Sequence, residues 1–353
     1  MTILVFDWGN TLMRVFPEYQ GPMALWPEVA AIRGVEEALA VLSTQYRMVI
    51  ATNARESSDS LQVRAALQRV DIDRYFEHVF TTHDLNQQCK PDPEFFKAIQ
   101  TRLGTISQEM IMIGDDYCAD VLGSVQCGWE AAWFNPNHQP AAGLTPLHTY
   151  EVDELPQLPA VLSKPAYPTI STCLGWLQEA GASSMLLIHV QMVASISYQL
   201  ALWLRANGCL VDPILAHRGG MLHDLAKLLS LQTGASSDDH GRLAARLLHT
   251  REQPELAEIS YRHLLFCLID ETRRPQSWEQ KVVYFADKLV EKSQLASLEE
   301  RVQGLRERYP NHRQEIDAVI PALLELQDEI CAAADVQPDE LLPCLNNALL
   351  GGE

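Results

Sequence analysis

The sequence predicts an α/β domain followed by an all-α domain, and three observations support this fold class. Short, continuous apolar runs alternate with helix-like periodicity over roughly the first 135 residues. Prolines cluster between residues 136 and 168, and helical periodicity without strand-like runs dominates from Thr172 to Leu349. Because 353 residues exceed one typical hydrophobic core, two domains are the natural expectation.

The first domain contains four apolar runs of strand length. They span residues 2–6, Met48–Ala51, Met110–Ile113 and, more weakly, Ala131–Phe134. Continuous runs suit strands that are buried on both faces, as in a parallel sheet. Helical patterns lie between them at Val35–Leu42, Ser60–Leu67 and Pro93–Leu103. This alternation predicts a doubly wound parallel sheet.

The domain boundary is expected where the prolines accumulate. Seven of them interrupt any long periodic pattern: Pro136, Pro140, Pro146, Pro156, Pro159, Pro165 and Pro168. We therefore expect an α/β domain over residues 1–150, a Pro-rich linker over 151–170 and a helical domain over 171–353. A last strand around Thr149–Val152 would lie at this edge.

Net charge argues against polyanionic partners. Asp and Glu total 46 against 27 Lys and Arg, which gives a formal net charge of −19. Such a charge repels nucleic acid backbones and anionic membranes, and the sequence shows no basic patch that would override it. The amino-terminal apolar run reaches Asp7 at once, unlike a signal peptide, and no stretch approaches membrane-spanning length. We expect neither a membrane nor a nucleic acid as a partner.

The eight cysteines are scattered through the chain without a CxxC pair or the spacing of a secreted scaffold. This usage is typical of reduced thiols, so we expect a cytoplasmic protein.

Polar side chains directly follow three of the predicted strands. They are Asp7 after the first strand, Thr52 with Asn53 after the second, and Asp115 with Asp116 after the third. In doubly wound sheets, ligands bind at the carboxyl ends of the strands. These residues are therefore the candidate site of the first domain.

Together with Lys90, these positions resemble the motifs of the haloacid dehalogenase (HAD) superfamily. Phe6–Leu12 looks like its first motif, Thr52 its second, Lys90–Pro93 its third, and Gly114–Asp116 with Asp120 its fourth. The resemblance covers roughly the first 135 residues and rests on the order of the motifs.

The resemblance implies a role for each matching residue. Asp7 would be the nucleophile, and Thr52 and Lys90 would hold the phosphate. Asp115 would bind magnesium, which prefers hard oxygen ligands. Asp120 would support the metal ligands from behind or cap the following helix.

One position departs from the family pattern. HAD phosphatases usually carry a second aspartate two residues after the nucleophile, as general acid and base, and here that position is Gly9. Its backbone carbonyl could still bind magnesium, but loss of general acid–base help typically costs roughly 10²- to 10⁴-fold in rate. Monoester hydrolysis at Asp7 is therefore expected to be slow, or to use a replacement such as Asp116.

The spacing of the motifs leaves no room for either cap domain usual in this family, since Gly9, Thr52 and Lys90 follow one another closely. Asp7-Trp8-Gly9 is also similar to the phosphonoacetaldehyde hydrolase branch, but that branch needs a lysine on a cap. We expect a capless domain whose open site is covered by a macromolecular substrate or another domain. A fold kept for packing, dimerisation or regulation, without catalysis, is the alternative.

The helical half contains a series of histidines and aspartates with a regular order. His189, His223, Asp224, His263 and Asp287 lie in mostly apolar helical segments, whereas His240 follows a predicted turn, Ser-Ser-Asp-Asp. An ionised aspartate such as Asp287, inside the apolar stretch Val282–Lys288, is costly to bury unless it is paired or metal-bound. Taken in order, this pattern resembles the HD superfamily of metal-dependent phosphohydrolases over roughly residues 180–300.

The HD resemblance implies a metal centre. His189, His223, Asp224 and Asp287 would bind one divalent cation, and Asp224 would bridge to a second cation held by His240 and His263. Mixed imidazole and carboxylate ligands favour iron, manganese, zinc, cobalt or nickel. A site with one cation, without the last two histidines, stays open.

Other charged residues of this half are weaker candidates. Lys227 would neutralise phosphate charge or is simply a solvated lysine, whereas His217 and His249 fit the pattern less well and are expected in the core or at the surface. The tail, Ser297–Glu353, carries helical charge patterns and would pack against the helical core or form a homodimer face.

Together, the two resemblances predict a two-domain phosphohydrolase that acts mainly at the HD metal site, because Gly9 weakens the Asp7 site. The expected substrate is a small phosphate ester or anhydride, with a nucleotide the expected class. Three alternatives stay open: the HAD-like half is the main phosphatase through an aspartyl-phosphate, it is a regulatory or assembly module, or the HD site is a di-iron oxygenase.

Overall fold

The computed structural model of the chain describes residues 2–54, 58–232 and 240–351 and divides into two compact units. The first unit comprises the residues up to Gln139 together with Leu147–Ala166. The second comprises Pro140–Pro146 and the chain from Tyr167 onward. The turn expected just before His240 lies outside the described residues.

The first unit is built on a six-stranded parallel sheet. In chain order its strands are β1 (Ile3–Phe6), β2 (Arg47–Thr52), β3 (His78–Thr81), β4 (Met110–Gly114), β5 (Glu130–Phe134) and β6 (Tyr150–Val152). The spatial order is β3-β2-β1-β4-β5-β6, so β1 is central and the chain crosses to either side of it. This is the predicted doubly wound sheet, and its crossover point lies at the carboxyl end of β1.

Both faces of the sheet are covered. Leu4 and Phe6 pack into one core cluster and Ile3 and Val5 into another, because successive side chains of a strand point to opposite faces. The helices of this unit are α1 (Val35–Leu42), α2 (Ser60–Gln68), α3 (Pro93–Leu103), α4 (Gly123–Gln126) and α5 (Leu158–Leu162). A π-helix, Tyr117–Leu122, precedes α4.

The segment predicted as a Pro-rich linker, 151–170, has a different structure. Its first part belongs to the first unit, where Val152, Leu155, Leu158 and Leu162 are buried in the core. Pro156 and Pro159 lie in the first turns of short helices, where a missing backbone N–H costs nothing. These two prolines therefore start structured elements, whereas Pro165 and Pro168 lie in the irregular stretch before the helix Ile170–Glu179.

The second unit is helical. Its helices are α6 (Ile170–Glu179), α7 (Ser184–Ala206), α8 (Pro213–Leu222), α9 (Lys227–Gln232), α10 (His240–His249), α11 (Pro254–Arg262), α12 (Trp278–Lys288), α13 (Leu298–Arg308), α14 (Arg313–Ala334) and α15 (Leu341–Leu349). A two-residue antiparallel ladder, β7 (Val290–Glu291) with β8 (Gln294–Leu295), separates α12 from α13. Residues of α13, α14 and α15 share one core cluster with residues of α7 and α12, so the tail packs against the helical core.

Helix α7 corrects one expectation. With 23 residues and a mean hydropathy of 1.5 over its most apolar window, it is long and apolar enough to cross a membrane. The prediction that no stretch approaches membrane-spanning length is therefore wrong on length and composition. However, 61% of that window is buried inside the protein, as in the core helix of a globular domain. The absence of a membrane partner and the cytoplasmic location stay predictions.

Candidate active sites

The candidate residues of the first unit meet at the carboxyl edge of the sheet. Asp7 follows β1, Thr52 ends β2, and Asp115 follows β4, which are the three adjacent central strands. The backbone N–H of Asp7 donates to the carbonyl of Ile113 at 2.8 Å and so extends the pairing of β1 with β4. Asp7, Thr52, Lys90 and Asp115 line one cavity of about 300 Å³.

Lys90 is the only cation of this cluster among the described residues that line the cavity. Its side chain is 2% exposed, and Nζ lies 2.5 Å from Asp7 Oδ1 and 2.5 Å from Asp120 Oδ1. Burial alone would lower the pKa of Lys90, but the carboxylates of Asp120 and Asp7 outweigh it and raise that pKa. The Asn53 carboxamide fixes the lysine backbone by bonding to both its carbonyl and its N–H at 2.7 Å.

The acidic residues of this cluster outnumber the cation. Asp7, Asp115 and Asp120 each offer an oxygen within 4.8 Å of the others, and the Thr11 hydroxyl orients Asp115 by donating to Oδ1 at 2.7 Å. Burial raises the pKa of Asp115, and it raises the pKa of Asp120 to about 7. Three carboxylates against one ammonium leave an excess of negative charge, and a divalent cation with a preference for oxygen, such as Mg²⁺, fits this donor set.

The sequence left two roles open for Asp120, support of the metal ligands and capping of the following helix. In the structure Asp116, not Asp120, is the capping residue. Asp116 caps the π-helix by accepting from the backbone N–H groups of Cys118 and Ala119 at 2.9 Å. Asp120 faces the site instead, and its Oδ2 accepts from the Asp116 N–H at 3.1 Å. A side chain at Gly114 would collide with this carboxylate, since its Cβ would lie 2.1 Å from Asp120 Oδ2.

The connection from β1 to α1 walls one side of the cavity. Phe16, Tyr19 and Trp26 line it and pack against one another in edge-to-face or tilted arrangements, with ring centroids 5.5 to 6.4 Å apart. The aromatic content of this connection is a sequence signal for such a wall, and the motif pattern alone misses it. Within the described residues the site thus has an aromatic wall, supplied by one connecting loop, rather than a cap domain.

The candidate residues of the second unit come from five helical segments. His189 lies on α7, His223 and Asp224 directly follow α8, His240 begins α10, His263 follows α11, and Asp287 lies on α12. Helices α7 and α8 approach closely at Gly220, where a Cβ would lie 2.5 Å from the Cα of Ala194. This contact requires glycine and brings α8 close to the helix that carries His189.

Asp224 lies at the centre of this group. On its Oδ2 side, Nε2 of His223 lies at 3.4 Å and Nε2 of His189 at 3.7 Å. On its Oδ1 side, Nε2 of His240 lies at 3.2 Å and Nε2 of His263 at 3.3 Å. Asp287 joins the first side, with Oδ1 at 3.2 Å from His189. The two oxygens of one carboxylate therefore face two separate histidine pairs.

The imidazoles are oriented with one nitrogen toward this centre. Nδ1 of His223 lies 2.7 Å from the Gly220 carbonyl, and Nδ1 of His263 lies 2.6 Å from the Ser260 carbonyl. Each carbonyl can only accept, so these bonds place the proton on Nδ1 and leave the Nε2 lone pair facing Asp224.

The donor set fits a divalent cation. Nε2 of His189 and of His223 are buried without a hydrogen-bond partner among the described residues. Burial lowers the pKa of His263 to about 4, which keeps that ring neutral, as a ligand must be. Burial alone would raise the pKa of Asp224, but Lys227 and His223 hold it well below its usual range. Buried lone pairs and ionised carboxylates directed at one point are the arrangement that a metal satisfies.

Family models match both units. Residues 7–134 match the haloacid dehalogenase-like hydrolase family, and residues 186–291 match the HD domain. The chain carries a HAD-like hydrolase domain followed by an HD domain. The Asp7 cluster lies inside the first match, and all six histidines and aspartates of the Asp224 group lie inside the second.

Individual relatives cover only parts of the chain. The glyceraldehyde 3-phosphate phosphatase of Pyrococcus furiosus is 32% identical over 98 residues, which are 27% of this chain and 40% of the relative. The pyrimidine 5'-nucleotidase of Streptococcus pneumoniae is 38% identical over 65 residues, which are 18% of this chain and 27% of the relative. An uncharacterized protein from Listeria monocytogenes serotype 4b aligns in structure with a TM-score of 0.40 and 24% identity, over 46% of this chain and 97% of that protein. The chain thus spans less than half the length of either curated relative.

Among the described residues, three cationic side chains lie beside the two candidate aspartate ligands of the HD domain, Asp224 and Asp287. Lys227 Nζ lies 2.5 Å from Asp224 Oδ2, and Lys288 Nζ lies 2.6 Å from Asp287 Oδ2. Arg301, on α13, lies 3.4 Å from Asp287 Oδ1 through Nη2. Of these, only Lys227 was predicted from the sequence. Lys288 follows a predicted ligand directly in the chain, but nothing local in the sequence marks Arg301.

A cavity of about 650 Å³ opens onto this HD centre and is lined by both the acidic residues and the cations. His217 and His249 lie elsewhere. His217 is buried with Nδ1 at 2.9 Å from a guanidinium nitrogen of Arg218, and His249 is exposed at the end of α10. Neither contributes to the ligand groups found among the described residues, which agrees with their poorer fit to the HD pattern.

Proposed function

We propose that this chain is a metal-dependent phosphohydrolase whose HD domain cleaves a phosphate ester or anhydride. The observation that carries the proposal is the carboxylate of Asp224, whose two oxygens each face a separate pair of histidine Nε2 atoms. This arrangement suits two divalent cations with Asp224 as their bridge. Iron, manganese, zinc, cobalt and nickel all accept such mixed ligands.

Each residue of the HD centre has a role in this proposal. His189, His223, Asp224 and Asp287 hold the first cation, and His240 and His263 hold the second with Asp224. Bound divalent cations would polarise a phosphate oxygen and make water a nucleophile at neutral pH. Lys227 neutralises charge on the phosphate, because its ammonium lies beside the bridging carboxylate and its side chain is 43% exposed.

A nucleotide is the proposed substrate class. The cavity of about 650 Å³ is within the usual range for sites that enclose a whole small molecule. One part of its wall is apolar and aromatic, with Leu305, Tyr309 and Ile316, next to His312 and Glu315. Such a wall suits a sugar and base.

A second activity, at Asp7 of the HAD-like domain, is supported by the packing of Lys90 between Asp7 and Asp120. There, an oxygen of Asp7 would attack phosphorus as the bond to the leaving oxygen breaks, and water would then cleave the aspartyl-phosphate. Thr52 and Lys90 would hold the phosphate oxygens. Magnesium held by Asp7, Asp115 and the Gly9 carbonyl would offset the negative charge of the phosphoryl group. This reaction lacks a side chain at Gly9 to carry protons, so we rank it second.

Substitution of one residue in each centre tests the assignment. The purified chain, Asp224→Ala and Asp7→Asn are compared for bound metals and for phosphate release from a panel of nucleotides, sugar phosphates and other esters. We expect Asp224→Ala to lose metal and to lower phosphate release about 10³-fold or more, since the cations supply several kcal/mol of charge stabilisation. Asp7→Asn should keep the metal content of the HD centre and the phosphate release.

Other outcomes contradict parts of the proposal. Full phosphate release by Asp224→Ala, with loss in Asp7→Asn, would assign the activity to the HAD-like domain. Altered turnover at the HD centre in Asp7→Asn would instead favour a regulatory HAD-like domain. Oxygen consumption that depends on iron, without phosphate release, would favour the oxygenase. An unchanged metal content after replacement of both His240 and His263 would reject the second cation.

A further inference from the structure

We propose that Arg301, on α13 beyond the matched HD domain, binds a second anionic group of the substrate, next to the phosphate at the metals. The inference rests on the proposed function of the HD centre and specifies its substrate as one with two adjacent phosphoryl groups. Three observations carry it: the free donor of Arg301, the brace that holds it and the charge of the cavity.

Arg301 lines the cavity and has donor capacity beyond its two carboxylate contacts. Its side chain is 14% exposed and lines the cavity together with Asp224 and Asp287. Nη1 lies 2.9 Å from Glu291, and Nη2 lies 3.4 Å from Asp287 Oδ1. A guanidinium has five N–H groups, and these two contacts use only part of them, so Arg301 retains donors for a phosphate oxygen.

Glu291 holds α13 with Arg301 toward the site. Its carboxylate bonds to Arg301 and to Arg308, and it packs over Gly304, where a Cβ would lie 2.8 Å from the carboxylate. Residues 301, 304 and 308 follow at spacings of three and four, so they share one face of the helix. A capping box between Ser297 and Glu300 starts the helix directly before Arg301. The arginine is therefore a braced side chain on a fixed helix.

The cavity end near Asp224 and Asp287 is rich in cations. Lys227, Lys288 and Arg301 line it beside these two aspartates, while Glu291 pairs with Arg301 and Glu315 also lines the cavity. Bound divalent cations would add positive charge at this end, which favours anionic groups of a substrate. Lys227 and Arg301 bind different carboxylates, Asp224 and Asp287, which suits two neighbouring anionic groups.

Direct binding to the metal-loaded full chain tests this without relying on turnover. The probes are inorganic phosphate and methylenediphosphonate, whose carbon bridge resists hydrolysis, and the measurement is isothermal titration calorimetry. For Arg301→Gln we expect the Kd of methylenediphosphonate to rise about 10-fold or more, because a hydrogen bond to a charged group is lost. The Kd of phosphate should change less than about 2-fold, and the metal content should not change.

Three further variants complete the comparison. Arg306→Gln is the matched control, since Arg306 lies on the same helix but pairs with Asp317 outside the cavity, and its affinities should match the unchanged protein. Arg301→Lys keeps the charge without the guanidinium fork and should restore only part of the diphosphonate affinity. Glu291→Gln should weaken diphosphonate binding less than Arg301→Gln, as expected for a positioning residue.

The outcomes separate this inference from the proposed function. Equal weakening of both probes, an unchanged diphosphonate affinity, or loss of metal in both Arg301 variants overturns the role of Arg301. Absence of phosphate release from every substrate, with the expected binding pattern intact, would instead contradict the proposed hydrolysis and leave Arg301 as an anion-binding residue.

Discussion

The Asp7 centre and the Asp224 centre both gather buried acidic residues, but they compensate their charge in different ways. In the HAD-like domain, one ammonium that is 2% exposed bridges Asp7 and Asp120. In the HD domain, imidazole nitrogens surround Asp224, and two of those nitrogens have no hydrogen-bond partner among the described residues. The first centre holds its own buried ammonium between two carboxylates, whereas the second presents buried imidazole nitrogens that bound cations would satisfy.

This difference indicates what each centre needs in order to react. A lysine held between two carboxylates positions a phosphate, but it does not carry protons at neutral pH, because its pKa is raised. The Asp224 centre needs no protonated side chain in that role, since bound metals would activate water. The contrast therefore depends on one position, Gly9, where the usual proton carrier is absent.

Restoring that carrier should produce the largest change. In a chain whose HD centre is disabled by Asp224→Ala, Gly9→Asp is expected to raise phosphate release roughly 10²- to 10⁴-fold, because it adds a general acid and base beside Asp7. The substitution needs only a small shift of one side chain, since a Cβ at Gly9 would lie 3.2 Å from Val15 Cγ2. The measurement is phosphate release with magnesium present.

Gly9→Asn is the matched control, because it has the same size and cannot move protons. Equal rates for the aspartate and asparagine variants would show that proton transfer does not limit the Asp7 centre. The difference between the two centres would then need another cause, such as the aromatic wall formed by Phe16, Tyr19 and Trp26.

The two lysines offer a test of the charge compensation itself. Lys90→Met leaves Asp7 and Asp120 without their cation and should lower the free energy of unfolding by about 3–5 kcal/mol. Lys227→Met should cost about 1 kcal/mol or less, because Lys227 is 43% exposed and has one carboxylate partner. Urea unfolding of the metal-loaded variants measures both. Losses of equal size would contradict the view that the buried Lys90 pairs stabilise the fold more than the partly exposed Lys227 pair does.

Much of this architecture could be predicted because it has a local signal. Four apolar runs became β1, β2, β4 and β5 within one or two residues, since strands buried on both faces are continuously apolar. Strand β3 was missed, because it is a four-residue edge strand that begins with the exposed His78. The short helices within 151–162 were not anticipated, because a proline in the first turn of a helix and a proline in a linker look alike in sequence.

The residues of the HD centre also differ in whether a local sequence signal marks them. Most histidines and aspartates of the HD pattern occur in apolar stretches, so the cost of burying them marks them in the sequence itself. His240 follows a polar segment instead, and only its place in the order of the pattern marks it. Arg301 occurs among alternating charges, a pattern typical of a solvated helix, and only the packing of α13 onto the HD core brings it to Asp287. Contacts of this kind depend on the tertiary fold, which no local pattern encodes.

The smallest expected effect concerns Glu291, the carboxylate that holds Arg301 in place. Hydrogen bonds from Arg308 and, to a smaller extent, from Arg301 lower the pKa of Glu291 to about 2. Since this folded-state pKa is below the unfolded value of about 4.3, the stabilisation is complete above that pH and is lost as the pH falls toward 2. Near pH 7, Glu291→Gln should therefore cost about 1 kcal/mol, because Arg308 is 40% exposed and solvent screens it.

The pH dependence of that cost is the test. Urea unfolding of metal-free protein, compared between the unchanged chain and Glu291→Gln, should give a difference that is constant near neutrality and shrinks at about pH 3. Glu299→Gln, in the first turn of the same helix, serves as the control because it removes a carboxylate outside the brace. A difference for Glu291→Gln that stays the same at low pH would mean that packing over Gly304, rather than the ion pairs, holds α13 in place.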